Sequence, residues 1–555
     1  MVELNLALTV EAITARVPDR VAIAQGNRAW TYAQMHERST RFAHFLAERG
    51  LSAVVERSSL AGHEAGQQRL AQYLHNGREY LEGMLGAYRA RVAPFNVNYR
   101  YQREELLHLL RDADPVCIQY HARFAPSLAT VLPDLRQDPL LIRVEDDSGE
   151  APLPGSLDYE ELVAAPSAAT CALADVQPSP DDLYVIYTGG TTGMPKGVLW
   201  RQADVAVTTL GARNRRENRE WSSVSELLAA LPPRPRVVLP CAPLMHGAAQ
   251  WAALQTLLDA GTVVFPERAD AFEADRVLEA IARHRVSAVS IVGDAFARPM
   301  VDALERGRHD VSSLRAVVSG GAAMSPAVKR RMIELVPGLR VLENIGSSES
   351  GIQGTQQDNR AERTRASEFD LTESSAVVSA DLSHFLQPGH EGTGWLATSG
   401  RIPLGYLGDK DKTARTFPTI SGMRVSIPGD RARLLANGRL ELLGRDSMTV
   451  NTGGEKVFAE EVEAVLKDHP GVTDALVCGR PSERWGAEVA SVVVRSSPTI
   501  TAEEILSFCR NRLSTYKVPK TLLFVDSIER SPSGKPDYRW ATAQLAAHRS
   551  SADGG

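Results

Sequence analysis

The chain has 555 residues, more than a single hydrophobic core organises, so two or more domains are expected. Its hydrophobic fraction of 43% and charged fraction of 23% are those of an ordinary globular protein. The net charge of −6 excludes a general attraction to nucleic acid or to an anionic membrane, so a small anionic ligand would need a local basic site.

No apolar run of about 18 residues reads as a membrane-spanning helix. The start of the chain, with Glu3 and Glu11, lacks the basic-then-apolar order of a secretory signal, and a cytoplasmic protein is expected. Cys117, Cys171, Cys241, Cys478 and Cys509 show no metal-ligand spacing and are expected to be reduced packing residues. Only 9 lysines stand against 53 arginines. Arginine does not replace a lysine used as a compact ammonium, which draws attention to Lys196 and Lys535 in the motifs below.

From Leu4 to Gly444, apolar runs alternate with amphipathic segments, the pattern of a layered α/β protein. The stretch from Val54 to Gln67 is longer than the connection expected between the first helix and the next strand. The polar stretches Arg213 to Ser223 and Gln356 to Thr372 read as surface loops or insertions. Val286 to Val292 and Leu314 to Ser319 read as buried strands. After the second come Gly320 and Gly321, and Ser325-Pro326 opens a helix to about Leu335.

A second unit begins near Arg445. It has a helix over Ala459 to Lys467, strands at Val472 to Cys478, Glu488 to Arg495 and Leu522 to Val525, and a helix from the capping box Thr501/Glu504 to Leu513. The expected division is therefore 1–444 and 445–555, with a hinge at Gly444-Arg445-Asp446.

The strongest chemical signal is Tyr187-Thr188-Gly189-Gly190-Thr191-Thr192-Gly193-Met-Pro-Lys196-Gly197. Backbone amides and hydroxyls in this density suit phosphate oxygens, and Lys196 adds a point charge. It is not a Walker A loop, because no Ser or Thr follows the lysine. The string resembles the phosphate-loop signature of the adenylate-forming superfamily, which includes acyl-CoA synthetases, firefly-type luciferases and peptide synthetase adenylation domains.

The resemblance continues in family order along essentially the whole chain. Pro243-Leu-Met-His246-Gly247 resembles the motif lining the acyl pocket, and Ser319-Gly320-Gly321-Ala322 the strand end that holds adenine. Asn344-Ile345-Gly346-Ser347-Ser348-Glu349 is similar to the Tyr-Gly-x-Thr-Glu motif, with Ile345 in the tyrosine's place. Asp430 stands where the family's aspartate grips the ribose. Arg445 and Asp446 match the hinge, Gly453 and Gly454 the thioester tunnel, and Arg530-Ser-Pro-Ser-Gly-Lys535 the loop with the catalytic lysine.

The resemblance implies an α/β fold: a large N-terminal layered domain of the adenylate-forming type and a small mobile α+β C-terminal domain. It implies ATP, Mg²⁺ and coenzyme A as cofactors, a small-molecule carboxylic acid as substrate, and an acyl-adenylate intermediate. Lys535, Thr188, Glu349 and Lys196 would be catalytic, with Glu349 the metal ligand. Thr188 through Gly193, Lys196, Gly320 to Ala322, Asn344 to Ser348, Asp430, Arg445, Gly453, Gly454 and Lys535 would hold the nucleotide or coenzyme A.

His246, Gly247, Trp251, Gly293 and Gly321 would line the acyl pocket. Met245, Ala248, Ala249, Ile291, Val292 and Ala295 make it apolar, which suits a medium or long chain or a bulky alicyclic acid. The strings at Asn76–Gly86, Asn96–Arg100 and Gly293–Arg298 resemble actinobacterial synthetases of lipid and sterol side-chain catabolism. Asp294 reads as a helix cap paired with Arg298. Transfer to a carrier protein, a luciferase-like oxygenase and a catalytically degenerate nucleotide binder remain as alternatives. A homodimer is left open.

Overall fold

The structure, a computed structural model, describes residues 1–164, 173–188, 194–360, 368–445, 448–452, 455–482, 486–530 and 536–552. Val21–Gln25, Thr262–Phe265, Val237–Pro240, Ala288–Ile291, Ala316–Gly320 and Arg340–Ser347 form, in that spatial order, the parallel part of a large sheet. Helices cover these strands. Val263, Val264, Phe265, Val289 and Ile291 are buried on both faces, which is why they read as continuous apolar runs. Amphipathic Ala274–His284, for example, turns Val277, Leu278 and Ile281 inward. Beyond Ser347 the chain reverses into Gly351–Asp358, and the sheet continues antiparallel through Glu368–Leu371, Leu440–Arg445, Asp430–Leu434 and Gly394–Ser399.

A second parallel sheet has the order Ala93–Asn96, Arg69–Tyr73, Cys117–His121, Leu140–Val144, Leu157–Asp158. Between the two sheets lies an antiparallel hairpin, Leu183–Thr188 paired with Lys196–Arg201. Side chains alternate across a strand, and this hairpin uses both faces. Tyr184, Ile186, Val198 and Trp200 enter the core of the large sheet, whereas Leu183, Val185, Tyr187 and Leu199 enter that of the second sheet.

Two segments differ from expectation. Gln356 to Thr372, expected to be a surface loop, begins inside the strand Gly351–Asp358 and contains the strand Glu368–Leu371; residues 361–367 lie outside the described residues. Its polarity is accommodated by a buried ammonium. Lys329 reaches Gln356 (3.3 Å) and Asp358 (3.2 Å) and is ion-paired with Glu343. The long stretch after Val54 closes through an Ala53–Gln67 bridge and packs on the segment around Leu404. There the Gly408 N–H donates to the His63 carbonyl at 2.8 Å.

The C-terminal unit forms a separate α+β domain. Its sheet joins Thr449–Thr452, Glu455–Phe458, Val472–Ser482, Gly486–Arg495 and Thr521–Phe524. Helices Ala459–Asp468 and Ala502–Arg510 cover it, the latter opening with the expected Thr501/Glu504 capping box. Cys117, Cys241, Cys478 and Cys509 are free thiols. Among the described residues, no helix is long and apolar enough to cross a membrane.

Candidate active site

The parallel strands of the large sheet end, at their carboxyl edge, in Gly293, Gly320–Gly321 and Asn344–Gly346, the crevice where open α/β sheets take ligands. Gly293 has φ +53°, and a Cβ there would come within 2.7 Å of the Ala323 carbonyl. Glycine thus lets the helix Gly293–Glu305 start against the 320–323 turn. The Gly293 N–H donates to Ser319 Oγ at 3.0 Å. Asp294 accepts from Ser325 N–H (2.8 Å) and pairs with Arg298 (3.0 Å), so the carboxylate ties two turns together as a cap.

Asn344 lies opposite Gly320 in the parallel register and accepts a 2.9 Å hydrogen bond from Thr355 Oγ1. Ile345, where an aromatic residue was missed in the sequence, packs with Leu371 and Leu442 against the apolar cluster of the antiparallel sheet. Ser347, Ser348 and Glu349 form the turn that follows. Trp200 Nε1–H donates to the Ser348 carbonyl (2.8 Å), Ser426 Oγ–H to the Glu349 carbonyl (2.5 Å), and Glu349 N–H to Ser347 Oγ (3.2 Å). Tyr406 Oη–H donates to Glu349 Oε1 at 2.9 Å.

Thr188 and Lys196 are register partners at the loop end of the hairpin, and Lys196 is ion-paired with Asp409. That pairing holds the Asp409 carboxyl below its usual range. The strand Gly405–Tyr406 pairs with the hairpin, so Tyr406 lies opposite Val198. Residues spread over more than two hundred positions, Thr188, Lys196, Glu349, Tyr406 and Asp409, therefore meet in one cluster. Asp430 is the register partner of Arg445 on the neighbouring strand. Gly189, Gly190, Thr191, Thr192, Gly193, Asp446, Gly453, Gly454 and Lys535 lie outside the described residues. Arg530, which precedes Lys535, is tied to Asp474 and bridges to Pro536, so both ends of that loop are held.

His246 immediately precedes the helix Gly247–Leu258, and Trp251 one turn on donates its indole N–H to Tyr184 Oη (2.9 Å). Met245, Ala249, Ile291 and Val292 are buried near this helix start. A small surface cleft opens beside the motif, with Pro243 and Phe296 in its wall and Arg100, Arg268 and Arg276 around it.

Two buried asparagines, not singled out for the site from the sequence, hold this motif. Asn96, 2% exposed, accepts from Tyr187 N–H (2.7 Å) and donates to the carbonyls of Tyr187 (2.8 Å) and Met245 (2.6 Å). Asn76 donates to the Ala242 carbonyl (3.0 Å) and accepts from Leu244 N–H (2.6 Å). The phosphate-loop hairpin and the acyl-pocket motif thus share one side chain, Asn96. It opens the Asn96–Arg100 string, but nothing in that string shows its role, because its partners are 91 and 149 positions away.

The profile of the AMP-binding enzyme family matches residues 10–400, and that of the AMP-binding enzyme C-terminal domain matches 461–535. The chain belongs to the AMP-binding enzyme family. It is 49% identical to the medium-chain acyl-CoA ligase Mig of Mycobacterium avium, over 96% of this chain and 97% of that protein. To the 3-oxocholest-4-en-26-oate–CoA ligase of Rhodococcus rhodochrous it is 39% identical, over 98% and 96%.

The chain is accordingly an AMP-forming acyl-CoA ligase, with ATP and coenzyme A as its co-substrates. The fold of the ligase is that of the anthranilate–CoA ligase crystallised with anthranoyl-AMP, at a TM-score of 0.79 and 18% identity, covering 98% of this chain and 99% of that one.

Proposed function

We propose that the ligase activates a medium-chain fatty acid or a bulky alicyclic acid of the steroid side-chain type, using the residues assembled around Lys196 and Glu349. The observation that carries this reading is the meeting of the hairpin end, the Ser347–Glu349 turn and the Tyr406–Asp409 segment in one polar cluster. Beside it the strand ends lead to buried apolar Met245, Ala249, Ile291 and Val292, which suit a large hydrocarbon. The names of the two relatives, one a medium-chain and one a sterol-derived acid ligase, point the same way.

A carboxylate and ATP are both anions, so attack on the α-phosphate needs cations where negative charge builds and alignment of the attacking oxygen. Lys535 bridges the carboxylate and the α-phosphate. Thr188, Thr191, Thr192 and the amides of Gly189, Gly190 and Gly193 hold the phosphates together with Lys196. Gly320 to Ala322 and Asn344 to Ser348 border the adenine, and Asp430 with Arg445 takes the ribose.

Among the described residues no group of three or more His, Cys, Asp or Glu side chains could hold a metal by itself. Glu349 fits Mg²⁺ as the single hard carboxylate that a phosphate-borne ion needs. Mg²⁺ supplies positive charge that stabilises the departing pyrophosphate. In this reading the chain divides into 1–444 and 445–555. Rotation at Asp446 then withdraws Lys535 and brings Gly453–Gly454 to the site, where the coenzyme A thiol displaces AMP. The enzyme works in the cytoplasm, and a homodimer is the assembly to test by light scattering.

The test is pyrophosphate release with ATP and Mg²⁺ across acids from acetate to palmitate, benzoate and a steroid side-chain acid, with and without coenzyme A. Release with medium-chain or alicyclic acids, thioester only with coenzyme A, and loss of release in Lys535→Ala are the expected results. Turnover of acetate alone would overturn the substrate class. Pyrophosphate without thioester would point to transfer onto a carrier protein, and silence with every acid to a degenerate nucleotide binder.

A further inference from the structure

The polar cluster contains a second ammonium. Lys412 is half-buried in the first turn of the short helix Lys410–Thr416, with its Nζ 4.2 Å from the centroid of the Tyr406 ring. That ring's hydroxyl is the one bonded to Glu349. Asp409, the partner of Lys196, also caps this helix by accepting from Lys412 N–H at 2.9 Å. Lys412 therefore sits beside groups proposed to meet the triphosphate, on a segment tied to the His63 carbonyl through the Gly408 N–H.

Its placement runs against local rules. A cation in the first turn of a helix opposes the helix dipole, and arginine is the default basic residue of this chain. Burial and the nearby charge of Lys196 both push the Lys412 ammonium down from its usual range. Among the described residues no carboxylate lies within ion-pair distance of its Nζ, although Lys196 has one in Asp409. Positions that break local consistency are where function is expected.

Lys196, Lys412, Asp409 and Glu349 balance to zero formal charge, so an incoming polyanion would find Lys412 as the uncommitted cation and Lys196 held by Asp409. We propose that Lys412 is a triphosphate-binding residue of this ligase, presented by the Tyr406 ring to the β- and γ-phosphate end of ATP. The inference rests on the reading of the Lys196–Glu349 cluster as the nucleotide site.

Equilibrium binding measured by titration calorimetry, with neither acid nor coenzyme A present, isolates it from turnover. Lys412→Met keeps the apolar stem against the Tyr406 ring and removes only the charge. It is expected to weaken ATP binding about tenfold, the worth of one charge-assisted contact. AMP binding and the melting temperature should be unchanged, Lys412→Arg should restore most of the loss, and Lys410→Met, one residue before Asp411 and exposed, should have no effect.

ATP bound equally well by Lys412→Met and the unaltered protein would overturn the proposal, as would an equal loss of ATP and AMP. Failure of the unaltered protein to bind ATP would instead overturn the nucleotide-site reading, and the inference with it. Should Lys412→Met not fold, the Lys412→Arg and Lys412→Gln pair decides by the same ATP-to-AMP ratio.

Discussion

Asn96 offers the sharpest test of how the site is assembled. Replacing it with alanine deletes hydrogen bonds of 2.7, 2.8 and 2.6 Å, leaving the N–H and carbonyl of Tyr187 and the carbonyl of Met245 without this partner in the buried interior. A buried donor left unmade costs about 1–3 kcal/mol, and carbonyls are more forgiving because each has two lone pairs. Summed with the vacated volume, Asn96→Ala is expected to lose about 3–5 kcal/mol, a large share of a typical stability of about 5–15 kcal/mol. Asn96→Asp keeps the acceptor for Tyr187 N–H but turns an oxygen towards two carbonyl oxygens, so it should be no better than alanine near neutral pH.

The assay pairs a thermal melt with pyrophosphate release. Because Tyr187 leads into the phosphate loop and Met245 into the acyl pocket, their relative slip should lower adenylation by about 10–100-fold, the penalty for a misplacement of about 1 Å. Saturating ATP or acid should not rescue it. An Asn96→Ala protein with an unaltered melt and unaltered pyrophosphate release would show that these three hydrogen bonds do not set the geometry.

Lys329→Met should destabilise by about 3–5 kcal/mol in urea titration, because it strands the buried carboxylates Glu343 and Asp358; adding Glu343→Gln and Asp358→Asn should recover most of the loss. Gly293→Ala forces a side chain into φ +53° and towards the Ala323 carbonyl, so a lower melting temperature and a shifted acid preference in pyrophosphate release are expected together. Burial, reinforced by His121 and Arg123 and opposed by Asp270 and Asp146, lowers the His75 pKa to about 4. The unfolded chain takes up that proton below about 6.5, so the contribution is whole above that pH and is lost as pH falls towards 4, by at most about 3 kcal/mol. Stability of His75→Gln should fall less steeply across that window in denaturant titrations at graded pH.

What the chain order reveals is what local chemistry can write. The Thr501/Glu504 box, the apolar parallel strands and the glycine-rich loop are each encoded within a few residues. The Ser347–Glu349 turn was readable as a motif, yet its supports, Trp200 and Tyr406, come from other segments. Gln356 and Asp358 read as exposed because nothing nearby announces Lys329, and a polar strand without its buried partner looks like a loop. The stretch after Val54 acquires its role only through a distant contact, the His63 carbonyl accepting from Gly408 N–H beside Asp409.

The hairpin Leu183–Arg201 belongs to two hydrophobic cores at once. A one-residue slip in either stem would exchange its faces, sending Trp200 and Tyr184 where Leu199 and Val185 belong. Over evolutionary time, and for anyone recombining such enzymes, Leu183–Thr188 and Lys196–Arg201 act as fixed posts. Any change in loop length must be taken up entirely between them, so a cassette exchanged at these two posts would be expected to alter nucleotide handling while leaving both cores as they were.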